Sequence, residues 1–109
     1  MANYYKILGQ ESPLATTETD LYVVPASTSA VCSSISICNR DASKTTFRVS
    51  VSESGAVTSD KDYLYYDVEI NGNDTFIATI GITLATTDVV RVYSGNANLS
   101  FQLWGTEIV

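Results

Sequence analysis

Leu99-Ser100-Phe101-Gln102-Leu103-Trp104 is the stretch that decides the fold class, because apolar and polar side chains alternate along it. The same alternation occurs in Phe47-Arg48-Val49-Ser50-Val51. Successive side chains of a β-strand point to opposite faces of a sheet, so the pattern predicts strands with one buried and one wet face. Both stretches therefore indicate antiparallel β-sheet.

The rest of the chain agrees with this interpretation. Valine, isoleucine and threonine number 11, 8 and 13 among 109 residues, and their stiff β-branched side chains suit a pleated sheet better than a helix. No stretch has a 3.6-residue period, so we expect almost no helix. Turn-forming residues separate eight predicted strands. These lie at about Tyr5–Leu8, Asp20–Val24, Ala30–Asn39, Thr46–Val51, Asp62–Glu69, Asn73–Ile82, Asp88–Tyr93 and Ala97–Trp104.

Eight short strands in a chain of this length predict one all-β domain, an antiparallel two-sheet sandwich of jelly-roll or Greek-key type. The domain spans residues 1–109, and residues 9–19 form a Ser/Thr-rich connecting loop. The first ten residues do not resemble a signal peptide. The most apolar segment, residues 76–85, is far shorter than the ~20 residues that span a bilayer.

Asn71-Gly72 is the strongest local turn motif, and it predicts a β-hairpin. A three-residue loop ending at Gly72 gives the better register, because it pairs Tyr66 with Phe76 and gathers the apolar side chains on one face. In that register Tyr63 and Tyr65 lie on the opposite, exposed face.

Charge and composition exclude several classes of function. Twelve acidic residues against six basic ones give a net charge of −6, which opposes binding to nucleic acid or to anionic membranes. The chain has no histidine, so histidine-based catalysis and histidine metal sites are excluded. A Ser-Lys dyad needs a buried lysine, whereas Lys6, Lys44 and Lys61 all fall at segment ends.

Carboxylates are the remaining abundant reactive groups. Asp60 with Asp62, Asp67 with Glu69, and Asp74 could form a glycosidase pair or hold calcium. No pair has a recognisable catalytic spacing, and no calcium-loop consensus follows Asp60-Lys61-Asp62, so a solvated turn is the favoured interpretation. We therefore predict a protein that is not an enzyme, with no catalytic, cofactor-binding or metal-binding residues.

The two cysteines, Cys32 and Cys38, lie six residues apart in one predicted strand. That spacing separates them by about 20 Å, whereas a disulfide needs Cα atoms within about 7 Å. We expect two small buried thiols; a link to another strand or another chain is the alternative.

Tyr63, Tyr65 and Trp104 are the candidate interaction residues, because the pattern places all three rings on wet sheet faces. Such rings bury much area while losing little rotamer entropy, which is why they are enriched at protein interfaces. Three interpretations stay open. The rings form a subunit interface, cover a sheet edge, or stack on a glycan.

The order of short motifs along the chain also carries a family resemblance. The motifs are Tyr5-Lys6-x-Leu8-Gly9-Gln10, Leu21-Tyr22-x-Val24-Pro25, Thr28-Ser29-Ala30-Val31, Asn39-Arg40, Thr46-Phe47-Arg48-Val49, Tyr66-Asp67-Val68, Asn73-Asp74-Thr75 and Phe101-x-Leu103-x-Gly105-Thr106-Glu107-Ile108. In their order and spacing they resemble small structural proteins of tailed bacteriophages, notably those that infect cyanobacteria. The match covers nearly the whole chain, and no motif in it is a catalytic or ligand-binding signature.

The resemblance implies a non-enzymatic virion component, assembled in the host cytoplasm, where no disulfides are expected. Spare strand edges and aromatic faces suit symmetric assembly, so we expect a homo-oligomer. The leading hypothesis is a capsid decoration (cement) protein that binds the major capsid protein or other virion subunits. A tail, baseplate or fibre protein is the first alternative, and a glycan-binding module is the second.

Overall fold

The computed structural model describes residues 2–109, which form eight β-strands and two short 3₁₀ turns. The 3₁₀ turns are Glu53–Gly55 and Asp60–Asp62. The strands are β1 (Asn3–Glu11), β2 (Thr19–Val23), β3 (Ser29–Asn39), β4 (Thr45–Ser52), β5 (Tyr63–Ile70), β6 (Thr75–Leu84), β7 (Val89–Ser94) and β8 (Leu99–Ile108). The predicted number of strands is confirmed. Within residues 2–109 there is no helix that could cross a membrane.

The strands form two antiparallel sheets of four strands each. Sheet I has the order β1-β8-β3-β6, and sheet II has the order β2-β7-β4-β5. Every connection passes from one sheet to the other except that between β4 and β5, which are neighbours in sheet II. This winding is that of a jelly roll, so the predicted all-β, two-sheet sandwich is confirmed.

The core lies between the two sheets and is built by the alternating stretches that predict the fold. Phe101 and Leu103 of β8 and Phe47 and Val49 of β4 are almost completely buried. Phe47 is the centre of an aromatic group, with its ring 5.3 Å from that of Phe76 and 6.5 Å from that of Phe101. Because these rings come from both sheets, they fix the sheets to each other.

Strand β1 is longer than predicted. The residues from Gly9 to Glu11 continue the strand and pair with β8, so the connecting loop predicted over residues 9–19 begins only at Ser12. A bulge at Leu8, which has no residue directly opposite in β8, lets the strand continue. A Cβ on Gly9 would collide with the backbone carbonyl of Leu21, so the side-chain-free residue is required where β1 passes β2.

The predicted Asn71-Gly72 hairpin is wrong, because β5 pairs with β4 and β6 pairs with β3. The Asn71-Gly72 turn is instead a corner between the sheets that packs on the turn following β3. The buried Asn39 side chain donates to the carbonyl of Asn71 over 3.2 Å, and the Asn73 amide donates to the carbonyl of Asp41 over 2.8 Å. These long-range bonds satisfy the corner without a hairpin ladder.

Candidate interaction surfaces

The three predicted interaction residues do not share one surface. Trp104 lies on the outer face of sheet I, because it pairs with Ile7 and Ser34 while its neighbour Leu103 is buried. Tyr63 and Tyr65 belong to β5 of sheet II. The combined surface that these three rings could have formed is therefore absent.

Tyr65 is not on the exposed face where it was predicted. Its ring points into the sandwich, 5.3 Å from Phe76 and 6.0 Å from Phe47. Two irregularities in the β4–β5 pairing cause this, because β5 gains residues relative to β4 on both sides of Tyr65. At the second irregularity, Asp67 has a left-handed backbone with φ of 51°. Each extra residue reverses which side chains face the core.

Tyr63 and Tyr66 lie together on the outer face of sheet II, although Tyr66 was predicted to face inward. Their rings pack edge to face with centroids 4.8 Å apart. The guanidinium of Arg48 lies between the rings of Tyr66 and Tyr93, 4.3 Å from the centroid of each. Arg48 Nε also donates to Asp67 Oδ1 over 2.7 Å. We call these five residues the arginine cluster.

The hydrogen bond to Asp67 raises the pKa of Arg48, so the guanidinium stays charged under all ordinary conditions. Its charge is neutralised by Asp67, and its faces are covered by two aromatic rings. The cluster is therefore internally satisfied and holds the irregular part of β5 against the sheet.

All charged residues in the strands of sheet II follow this rule of pointing outward and forming an ion pair. The pairs are Arg91–Asp20, Arg48–Asp67 and Lys44–Glu69, with Lys44 contributed by the preceding turn. Arg91 also donates to the carbonyls of Gly55 and Ala56. The segment between β4 and β5 thus covers part of this face.

Sheet I has the opposite arrangement, with its charged residues in inward register. Its four strands contain Lys6, Glu11 and Glu107 as their charged residues. Lys6 and Glu107 lie on the side of the sheet that faces Tyr22, and Glu11 pairs with the buried Phe101. The outer face of sheet I has no charged side chain at any position of its strands.

Glu107 is held in a network at one end of the sandwich. It accepts a hydrogen bond from the Tyr22 hydroxyl over 2.7 Å and one from the Lys6 ammonium over 2.9 Å. The Tyr22 bond, followed by that of Lys6, lowers the pKa of Glu107, whereas burial and the same bond raise the pKa of Tyr22. The carboxylate is therefore charged and fully occupied inside the protein.

The outer face of sheet I, which we call the uncharged face, has no ion pair among residues 2–109. Its main positions are Tyr5, Ile7, Gln10, Val31, Ser34, Ser36, Cys38, Thr75, Ile77, Thr79, Ser100, Gln102, Trp104 and Thr106. Tyr5 is 83% exposed and Ile77 is 66% exposed. A shallow groove between the Tyr5, Ile7 and Trp104 side chains runs along the β1–β8 boundary. Lys6 also lines it, although the ammonium of Lys6 is turned to Glu107. Depletion of charge together with exposed aromatic rings is typical of the centre of a protein interface.

Four of the five candidate carboxylates have a local partner: Asp62, Asp67, Glu69 and Asp74, whose Oδ1 accepts from the Thr75 amide. Asp62 accepts bonds from the backbone and hydroxyl of Ser59 and pairs with Lys61, and the Ser59 backbone bond is the main cause of the lowered pKa of Asp62. Asp67 pairs with Arg48, as described above, and Glu69 pairs with Lys44. Across residues 2–109, no three acidic or cysteine side chains come together as they would around a metal ion.

Both cysteines are free thiols. Cys32 is completely buried, and burial raises the pKa of its thiol to about 11. Cys38 lies half-buried on the uncharged face, between Thr75 and Ser100 of the neighbouring strands. The two therefore differ in reactivity, since the thiolate is the reactive form and must be accessible.

The sequence contained an indication of the uncharged face that the strand-by-strand prediction did not use. The sequence has no charged residue between residues 29 and 39 or between residues 75 and 84, the segments that form β3 and β6. The arginine cluster had no such indication, because it depends on the β5 irregularities. A search against protein-family models and against curated proteins finds no match to this chain.

Proposed function

We propose that this protein is a non-enzymatic structural subunit of a tailed-bacteriophage virion, and specifically a capsid decoration protein that binds across neighbouring capsid subunits and stabilises the shell. The observation that carries the proposal is the uncharged face. It is a four-stranded surface with Tyr5, Ile7, Ile77 and Trp104 on it and with no charged side chain pointing from it to be desolvated on docking.

The rest of the molecule supports a role in assembly. The ionic side chains of sheet II pair with one another, and the Tyr22–Glu107–Lys6 network is satisfied internally. The family resemblance given by the motif order points in the same direction. The jelly roll is a recurrent architecture of viral capsid proteins, although it also serves lectins, so the fold alone supports the proposal only by analogy.

The experiment is quantitative mass spectrometry of purified virions of the phage that encodes the chain, with the major capsid protein as the internal standard. A decoration protein should be present at a copy number comparable to that of the capsid subunits or of their clusters. Absence from purified particles would overturn the virion role. A handful of copies per particle would instead favour a tail, baseplate or fibre protein, which is the first alternative.

Location is tested by a second measurement on the same particles. Labelling or imaging should place the protein on the head surface. Particles that lack the protein should release their DNA at a lower temperature than complete particles, because each docked copy joins neighbouring subunits. Label confined to the tail contradicts the decoration role.

The glycan-binding alternative has less support, because Tyr65 is turned into the core and Trp104 lies on the other sheet from Tyr63. A binding site would have to use the groove beside Trp104 alone or the Tyr63–Tyr66 pair alone. Binding on a glycan array that Trp104→Ala abolishes would revive this alternative.

A further inference from the structure

The four strands at the edges of the two sheets differ in how they are protected against pairing with another chain. An edge strand has N–H and C=O groups with no ladder partner, and natural proteins protect such edges with charges, bulges, prolines or short strands. The edges here are β1 and β6 in sheet I and β2 and β5 in sheet II. Three of the four carry charged residues, and β6 is the exception.

The protected edges use different means. β1 has Lys6 and Glu11, both in inward register. β2 is five residues long and contains Asp20. β5 contains Asp67 and Glu69 and is irregular on both sides of Tyr65.

β6 has one of these features, a bulge in the middle of the strand, and no charge. Its ten residues, Thr75-Phe76-Ile77-Ala78-Thr79-Ile80-Gly81-Ile82-Thr83-Leu84, include no charge and no proline. The segment from Thr75 to Thr79 pairs regularly with β3, residue for residue, and the bulge follows at Ile80 and Gly81. β3 is the only strand that pairs with β6 within the part of the chain that the structure describes.

We propose that two copies of the protein associate through the free edge of β6, which pairs antiparallel with β6 of a second copy about a two-fold axis. The inference does not depend on the virion role. The pairing joins two copies of sheet I into one eight-stranded sheet, and the uncharged face then extends across both copies.

A second copy is the occupant that the charges favour. Each copy has a net charge of −6, so two copies repel each other wherever their carboxylates come close. A two-fold axis places the same strand against itself, and β6 has no charge to set against its own copy. A strongly basic or acidic partner would find no complementary charge on this strand.

The expected affinity is modest. Five regularly paired residues in each copy bury less than the ~1,200 Å² of a standard interface. We therefore expect a dissociation constant in the range of about 10 μM to 1 mM, which dense packing on a particle surface would strengthen.

The test is sedimentation velocity over a concentration series on the wild type and four matched variants. Ile77→Lys and Thr79→Lys add the lysine that natural edges use, and each should raise the dissociation constant at least tenfold. Gln102→Lys adds the same charge to the uncharged face two strands from the edge, and Leu64→Lys adds it to the β5 edge; both should leave the constant within about threefold of wild type.

Circular dichroism and the urea midpoint confirm that each variant is folded, and Ile77 and Thr79 are both exposed, so at least one lysine variant should fold. Amide hydrogen exchange should also slow between residues 75 and 79 as the wild-type concentration rises. A wild type that stays monomeric at its highest soluble concentration overturns the inference. So does a Gln102→Lys variant that loses association as fully as Ile77→Lys, since that result indicates face-to-face docking, or a loss confined to Leu64→Lys.

Discussion

The outer faces of the two sheets differ in charge, although each sheet has four strands. Sheet II points Asp20, Arg48, Asp67, Glu69 and Arg91 outward and pairs every one of them. Sheet I has Lys6, Glu11 and Glu107 in inward register, and its outer face is uncharged. One face is therefore closed by its own ion pairs and covering segment, whereas the other is open to a partner.

The difference shows how a small sandwich can assign separate tasks to its two faces. Ion pairs on sheet II link β5 to β4 and β2 to β7, and they lie at the surface, where each contributes little to stability. Charges on sheet I would have to be desolvated when a partner docked, at a cost that exceeds their attraction unless every charge met its complement.

Replacing Glu107 by alanine should have the largest effect. The substitution leaves the buried Tyr22 hydroxyl without its acceptor and Lys6 without its counter-ion. We expect the free energy of unfolding to fall by about 2–4 kcal/mol in urea denaturation. Glu69→Ala is the control, because Glu69 and Lys44 are both more than half exposed, and its effect should stay below about 0.5 kcal/mol. Equal losses in the two variants would contradict the comparison.

Replacing Arg48 by alanine should cost less. The variant loses two cation–π contacts and a partly exposed ion pair, together about 1–2 kcal/mol. Arg48→Lys should recover only part of this, because an ammonium cannot stack on both rings as a planar guanidinium does. Urea denaturation measures both variants. Full recovery by lysine would mean that the Asp67 ion pair alone provides the stabilisation.

The fold was predictable because its main determinants are local. Phe47, Val49, Phe101 and Leu103 alternate with polar residues in β4 and β8, and a period of two has one structural interpretation. Trp104 could be placed on an exposed face for the same reason. Strand order was not predictable, because strand pairing depends on contacts far apart in the sequence.

The failed predictions come from such distant contacts. Asn71-Gly72 has the composition of a hairpin turn, but Asn39 and Asp41, about 30 residues earlier, bind this segment as a corner. Tyr65 was assigned to the wrong face because the irregularities in β5 exist only in relation to β4. A single extra residue is enough to reverse the inward set of a strand.

Acidification should weaken the protein partly through Glu107. The Tyr22 and Lys6 bonds hold the pKa of Glu107 below its ordinary value of 4.5, so on acidification the unfolded chain takes up this proton before the folded protein does. The contribution is complete above that ordinary value and is lost as pH falls through the pKa of the folded state.

The measurement compares wild type with Glu107→Gln in urea at a series of pH values from about 7 to 3. The difference in the free energy of unfolding should shrink toward the acid end, because glutamine cannot lose a charge. Asp41 and Asp62, whose pKa values are also lowered, are present in both proteins, so their effects cancel. A constant difference would show that the Glu107 charge does not contribute to stability.

The smallest effect on stability is expected for Gln102→Lys, in the middle of the uncharged face. Gln102 makes one exposed side-chain hydrogen bond, to Gln10, and lies outside the core. A lysine stem can lie along the same surface while its ammonium reaches water, so the free energy of unfolding should change by less than about 0.5 kcal/mol. The same variant should nevertheless reduce binding to virion particles, because a docked partner would bury the new charge. A loss of several kcal/mol would mean that folding itself requires the face to be uncharged, and the absence of charge would then say nothing about a partner.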